Sequence, residues 1–170
     1  EKPGLYIDED TILDISGFGE DYDEGFFEDD GLIRLQNWVD QNKKSQIKIN
    51  PDTRIGPPVC RPSKIICIGL NFSDHAKESG VKPPTEPVIF FKSTTSICGP
   101  YDDFVIPKNA TKTDWEVELA LVIGKKAKYV PEKGVSDYIA GYLLHNDYSE
   151  REYQLEREGQ WVKGKSCDTF

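Results

Sequence analysis

Asp114-Trp115-Glu116-Val117-Glu118-Leu119-Ala120-Leu121-Val122-Ile123-Gly124, followed after an interval by Gly141-Tyr142-Leu143-Leu144-His145-Asn146-Asp147, is the stretch that decides how this chain is read. Both pieces have the apolar composition of strands, yet each carries carboxylates where a buried strand has none. Side chains alternate along a strand, so Glu116 and Glu118 leave one face while Val117 and Leu119 leave the other. Two like charges side by side repel, and desolvation next to a core adds to the cost. A divalent cation held by both removes the two costs together. Asp147, at the C-terminal end of the next apolar run, supplies a third oxygen ligand. Taken alone, the pair is read more economically as a solvated sheet face with Asp147 starting a turn, because charged residues are mostly exposed. What surrounds the stretch has to decide.

Composition narrows the field. The 170 residues suit one medium domain, or a small domain plus part of another. Eight Phe, eight Tyr and three Trp are enough to build a core. A formal net charge of −9 argues against nucleic acid, whose phosphates call for a basic face. Cys60, Cys67, Cys98 and Cys167 show no CxxC or metal-finger spacing and read as reduced, mostly buried thiols of a cytoplasmic protein. No apolar run reaches membrane length, and the charged start does not read as a signal peptide.

Working outward, residues 1–55 read as a small N-terminal α/β appendage and 56–170 as the part that carries chemistry, divided by the breakers Gly56-Pro57-Pro58 and Arg61-Pro62. Gly4–Ile7 and Thr11–Ile15 are expected to form a hairpin turning at Asp8-Glu9-Asp10. Residues 16–30, acidic and glycine-containing, are expected to be a solvated loop. Leu32, Ile33, Leu35, Trp38 and Val39 recur at helical spacing and predict a helix from about Gly31 to Lys43. Ile47–Ile49, Lys64–Leu70, Pro87–Lys92 and Phe104–Pro107 are further expected strands, and a short helix is expected near Val135–Ile139.

Polar groups cluster at the strand ends. His75 and Glu78 follow the 64–70 strand three residues apart and share a face on a helical turn, where the carboxylate orients the imidazole as a general base requires. A surface His-x-x-Glu pair is the plainer alternative. Lys92 ends an apolar strand and is given a minor role. Ser149 with Glu152 reads as a capping box, so a helix is expected directly behind Asp147. Arg151 and Gln154 then lie on one face, able to clamp a carboxylate and bond a carbonyl, though both are also ordinary on an exposed helix. Gly159–Ser166 matches G-x-x-x-x-G-K-[ST] letter for letter. A charged helix precedes it, and bulky Trp161 and Val162 sit inside it, so the strand–loop–helix context of a phosphate loop is missing and no nucleotide is expected.

Taken together, Ile68-Gly69-Leu70-Asn71-Phe72 through Asp74-His75, Asp114–Leu119, Asn146-Asp147 through Ser149, Arg151 and Gln154, and Gly164-Lys165-Ser166 through Phe170 resemble the fumarylacetoacetate hydrolase family from about Arg61 onward. The branch that handles 2,4-diketo-3-deoxy-sugar acids or ureidoglycolate is the most similar in flavour. The resemblance implies a mixed α+β, β-rich fold with a β-roll C-terminal domain, which this chain would hold only in part, since relatives continue through further strands after the position of Phe170. It implies Mg²⁺ or Mn²⁺ (Ca²⁺ in crystals) on Glu116, Glu118 and Asp147, a water-activating dyad of His75 and Glu78, and an active-site lysine at Lys165. Arg151 and Gln154 match substrate contacts, and a cytoplasmic homodimer acting on a small keto acid is implied, with no membrane or nucleic-acid partner.

The activity expected from this is metal-dependent hydrolysis of a carbon–carbon bond in a 2,4-diketo acid, giving pyruvate and a carboxylic acid. The same groups suit an isomerase of 2-hydroxyhepta-2,4-diene-1,7-dioate, an oxaloacetate decarboxylase or a ureidoglycolate lyase. A non-catalytic metal-stabilised domain is the remaining alternative, but such a domain has no use for His75, Glu78 and Lys165.

Overall fold

The computed structural model describes residues 1–43, 45, 47–72, 80 and 84–170. The expected mixed, sheet-rich class is observed, with four small sheets and short helices among the described residues. The chain divides into two compact units. One comprises Glu1–Pro62, Gly99–Asp102 and Glu118–His145, and the other Ser63–Cys98, Asp103–Val117 and Asn146–Phe170. The first unit is therefore not confined to residues 1–55.

In the first unit, β1 (Gly4–Asp8) and β2 (Thr11–Asp14) form the expected hairpin, and β3 (Ile47–Lys48) adds to β2 in antiparallel register, Leu13 opposite Lys48. The acidic stretch 16–30 is not the solvated loop its composition suggested. It holds a 3-10 turn, Ser16–Phe18, and the short α1, Glu24–Glu28, whose first turn is capped by the Asp23 carboxylate accepting the Phe26 N–H at 2.9 Å. The aromatic residues override the acidic composition. Phe26, 2% exposed, meets Phe18, Tyr22 and Phe27 edge-on. The carboxylates, meanwhile, face solvent, cap the helix or, as Glu20 does, receive the Arg34 guanidinium.

Helix α2 (Gly31–Gln41) follows at once and buries Gly31, Leu35 and Val39, one residue per turn, while Leu32 and Ile33 face outward. Leu13, Ile15, Phe26, Leu35 and Val39 make the core, with Trp38 and Leu5 against it. Gly31 has to be glycine, because a Cβ there would lie 2.2 Å from the Phe26 carbonyl oxygen. Arg54 ties residues 99–102 to this unit through two 2.6 Å bonds to Asp102 and a third, at 3.0 Å, to Glu1. The unit also holds most of β7 (Val117–Ile123) and β8 (Ile139–Asn146), paired in a two-stranded sheet and joined through the 3-10 segment Glu132–Tyr138. Along β7 the alternation is clear: Val117, Leu119, Leu121 and Ile123 are exposed, and the residues between them are half-buried.

In the second unit, β4 (Ile65–Gly69) and β5 (Val88–Lys92) pair antiparallel, Cys67 opposite Phe90 and Ile65 opposite Lys92. β6 (Thr113–Asp114) pairs antiparallel with β9 (Ser149–Glu150). One turn of π-helix, Glu152–Glu156, and the short α3, Val162–Lys165, complete the unit. Phe104, Tyr148 and Phe170 stack together, with ring centroids 4.0 Å apart for Phe104 and Tyr148.

Several local expectations are corrected. Residues 104–107 join no ladder among the described residues, and the Val105 N–H goes to Thr169 Oγ1 at 2.9 Å instead. Ser149 and Glu152 form no capping box, because Ser149 is in strand β9 and donates to the Asp147 carbonyl. The helical turn starts only after Arg151. The four cysteines are half-buried, not mostly buried. No helix among the described residues is long and apolar enough to cross a membrane.

The core role of Phe26 gives a direct test. Phe26→Ala should cost about 3–5 kcal/mol by urea denaturation, whereas Leu32→Ala, on the outward face of α2, should stay within about 0.5 kcal/mol. Equal and small effects would return residues 16–30 to the status of a solvated loop.

Candidate active site

The expected strand from Asp114 to Gly124 is broken. β6 ends at Asp114 and β7 begins at Val117, so Glu116 lies in the gap between them, half-buried as Glu118 is, while Val117 is exposed. A clasp on the Glu116 main chain spans the break. The Glu116 N–H is donated to Asn146 Oδ1 at 3.0 Å, and the Glu116 carbonyl accepts the Asp147 N–H at 2.8 Å. These bonds set the residue after β8 beside Glu116 and bring two of the expected ligands together.

The carboxylates of Glu116 and Asp147 then converge on a single ammonium. Lys165 Nζ donates to Glu116 Oε2 at 2.7 Å and to Asp147 Oδ2 at 2.9 Å, with its side chain 2% exposed. The outer oxygens have other partners. Lys92 Nζ donates to Asp147 Oδ1 at 2.6 Å and to the Tyr148 carbonyl at 3.0 Å, and Arg151 Nη2 donates to Glu116 Oε1 at 2.6 Å. Arg151 also bonds Asp114 Oδ2 through Nε and Nη2, and Gln154 Oε1 through Nη1 at 3.0 Å. Asp114, Glu116 and Asp147 are thus balanced by Lys92, Arg151 and Lys165.

The local folding that delivers these groups is specific. Glu150, fully buried, accepts from the Lys112 N–H at 3.1 Å, the Thr113 hydroxyl at 2.7 Å and the Glu152 N–H, which starts the π-turn where Arg151 and Gln154 project together. Single π-turns recur at functional sites. Gly164 lets α3 lie directly on that turn: a Cβ there would stand 2.3 Å from the Glu150 carbonyl oxygen and 2.7 Å from the Gln154 nitrogen. The next residue, Lys165, can therefore reach inward. Its ammonium lies 5.1 Å from the Phe90 ring centroid, and Phe90 meets Trp161 edge-on. Gly159–Ser166 accordingly has no strand before it, and its lysine is turned to the two carboxylates.

Protonation follows from this packing. Burial works to raise the Asp147 carboxyl, but Lys92 and Lys165 outweigh it and hold the group below the ordinary carboxylate range. Burial lowers the Lys92 ammonium, with Asp147 opposing. The hydrogen bond from Arg151 holds Asp114 low as well.

The site thus unites Glu116, Asp147, Lys165, Arg151 and Gln154 of the expected set. Glu118 lies on β7, half-buried, and among the described residues no group of three or more His, Cys, Asp or Glu side chains is close enough to hold an ion. Within the second unit, the like charges of Glu116 and Asp147 are compensated by cationic side chains. His75 and Glu78 fall outside the described residues. Asp114, Glu150 and Phe90 were given no role by sequence, and Lys92 too small a one. Alternation along Val88–Lys92 carried the signal for Lys92: it shares a face with half-buried Val88 and Phe90, where a lysine needs a carboxylate partner.

Asp147→Asn should cost about 3–5 kcal/mol at pH 7, since it strips a buried lysine of its counter-charge. The folded pKa of Asp147 is depressed, so its contribution is present above the unfolded value of about 3.9. It is lost as pH falls through the folded value. The gap in urea midpoints between wild type and the Asp147→Asn variant should accordingly close below about pH 4; a gap independent of pH would contradict the ion pair.

Comparison with known proteins places this arrangement. The family described as fumarylacetoacetate (FAA) hydrolase, C-terminal, matches residues 64–170. A Burkholderia orbicola protein named as a candidate hydrolase is 49% identical over all 170 residues, which span 59% of its length. A crystal structure of a probable 2-hydroxyhepta-2,4-diene-1,7-dioate isomerase from Mycobacterium abscessus superposes with a TM-score of 0.75 at 27% identity, over 99% of this chain and 57% of that one. Maleylpyruvate hydrolase from Sphingobium sp. SYK-6, solved with manganese(II) and pyruvate, shares the fold with a TM-score of 0.78 at 24% identity, over 99% of this chain and 60% of that one. By the match of its residues 64–170, the chain belongs to the fumarylacetoacetate hydrolase family.

Proposed function

We propose that this protein is a divalent-metal-dependent hydrolase that cleaves a carbon–carbon bond in a 2,4-diketo acid, yielding pyruvate and a carboxylic acid. The observation that carries the reading is the convergence of Glu116 Oε2 and Asp147 Oδ2 on one buried cation position, where the Lys165 ammonium sits and which it would yield to the ion, flanked by the bonded pair Arg151 and Gln154. Hard carboxylate oxygens facing one point fit Mg²⁺ or Mn²⁺. Glu116 and Asp147 would hold the ion, and Glu118 joins them as third ligand on its sequence spacing alone. Bound there, the ion supplies Lewis-acid polarisation of the 2-keto-acid end of the substrate.

The chain's own groups do the rest. Arg151, already oriented by Asp114 and Gln154, receives the substrate carboxylate, and Gln154 a carbonyl oxygen. His75, oriented by Glu78, takes a proton from the water that adds to the distal carbonyl. As the C3–C4 bond breaks, the electron pair moves toward the pyruvate end, and the ammonium of Lys165 stabilises the charge that develops there. Proton return to C3 completes pyruvate. An isomerase is the second reading, favoured by the likeness to the Mycobacterium abscessus protein. A homodimer acting in the cytoplasm completes the proposal, and light scattering on the eluted protein checks its mass.

Purified protein with Mg²⁺ or Mn²⁺ should release pyruvate from an acylpyruvate, read through a coupled dehydrogenase. His75→Ala and Glu116→Ala should each lower kcat by roughly 10²–10⁴-fold. Unchanged turnover in His75→Ala would remove the base, and a change in dienol absorbance without pyruvate would favour the isomerase.

A further inference from the structure

The two prospective ligands are held alike. Each has an outer oxygen bound by a cation from the surrounding chain and an inner oxygen facing a shared position, where the Lys165 ammonium sits. For Glu116 the outer cation is Arg151; for Asp147 it is Lys92, at 2.6 Å. Lys92 has no freedom to do anything else. Its side chain is fully buried, it ends the strand β5, and its second bond, at 3.0 Å, is to the carbonyl of Tyr148, the residue after Asp147. The next residue, Ser93, is tied by its N–H to Ser166 Oγ at 2.8 Å, beside Lys165. A carboxylate alone at the end of a strand can rotate about χ2, a broad and roughly two-fold torsion. Lys92 on Oδ1 and Lys165 on Oδ2 together fix that rotation, and once an ion takes the place of the Lys165 ammonium, the Lys92 bond is what keeps Oδ2 aimed at the position faced by Glu116 Oε2.

We propose that Lys92 is a positioning residue of the metal site: by holding the outer oxygen of Asp147 it keeps the inner oxygen in coordinating orientation and thereby sets the affinity for the divalent ion. The inference rests on the metal reading given above. It predicts an effect opposite in sign to simple electrostatics, because removing a nearby positive charge would by itself strengthen cation binding. Partners that orient metal ligands from outside the coordination sphere are typically worth 10–100-fold in metal affinity or activity.

The experiment is a Mn²⁺ titration of the purified protein by calorimetry and electron paramagnetic resonance. Wild type should bind Mn²⁺, and Glu116→Ala should abolish binding; failure of either sinks the metal reading, and the positioning role with it. With that reading intact, Lys92→Met should bind Mn²⁺ about 10–100-fold more weakly and show an altered Mn²⁺ line shape at saturation. Phe26→Ala, destabilised in the core of the first unit, should keep wild-type affinity and line shape, separating positioning from loss of stability. Lys92→Gln, which retains one donor, serves if the methionine variant does not fold and should show the same direction of change. Affinity equal to or tighter than wild type in either folded variant overturns the proposal.

Discussion

Asp147 is the constraint on which the second unit depends. It is 3% exposed, and a carboxylate at that depth persists as an ion only with excellent partners. Two lysines meet it, one from the end of a strand and one from a short helix, and the second also reaches Glu116. The end of β5 and the short helix α3 are thereby fixed relative to the residue after β8 by a charge that cannot be left alone. Buried ion pairs of this kind contribute little net stability compared with apolar packing, since desolvation offsets attraction. Their effect is to penalise alternatives, because any rearrangement that parts Asp147 from one lysine exposes an uncompensated charge to a low-dielectric interior.

The same physics explains what the sequence reveals and what it hides. The hairpin β1–β2, the helix α2 and the strands β4, β5 and β8 follow from period-two and period-3.6 patterns, and they lie close to where those patterns put them. Residues 16–30 were misread because composition averages over positions. Phe18, Tyr22, Phe26 and Phe27 are a minority there, yet they decide burial. Ser149 and Glu152 satisfied a local capping rule, but Glu150 captured the Glu152 N–H first, and the strand pairing of Ser149 with Asp114 outweighed the local preference.

For the site, the residue types were legible and their partners were not. Glu116, Asp147, Arg151, Gln154 and Lys165 could be singled out in the chain, and the structure brings them together. The break between β6 and β7 was not legible: it carries hydrogen bonds from Glu116 to residues about thirty positions away that no local pattern encodes. Lys92 was underweighted because a strand-end lysine is ordinarily solvated. Only its place on the inward side of the pleat marks it as different.

The clasp between Glu116 and Asn146–Asp147 has a consequence for how such a site can change over time. It holds Glu116 through its main-chain N–H and carbonyl, with the carboxylate taking no part. The two clasp bonds therefore do not depend on the Glu116 side chain. Substitutions at this position leave both clasp bonds chemically available. A position held in this way is free to vary in side chain without the chain having to relearn how to fold.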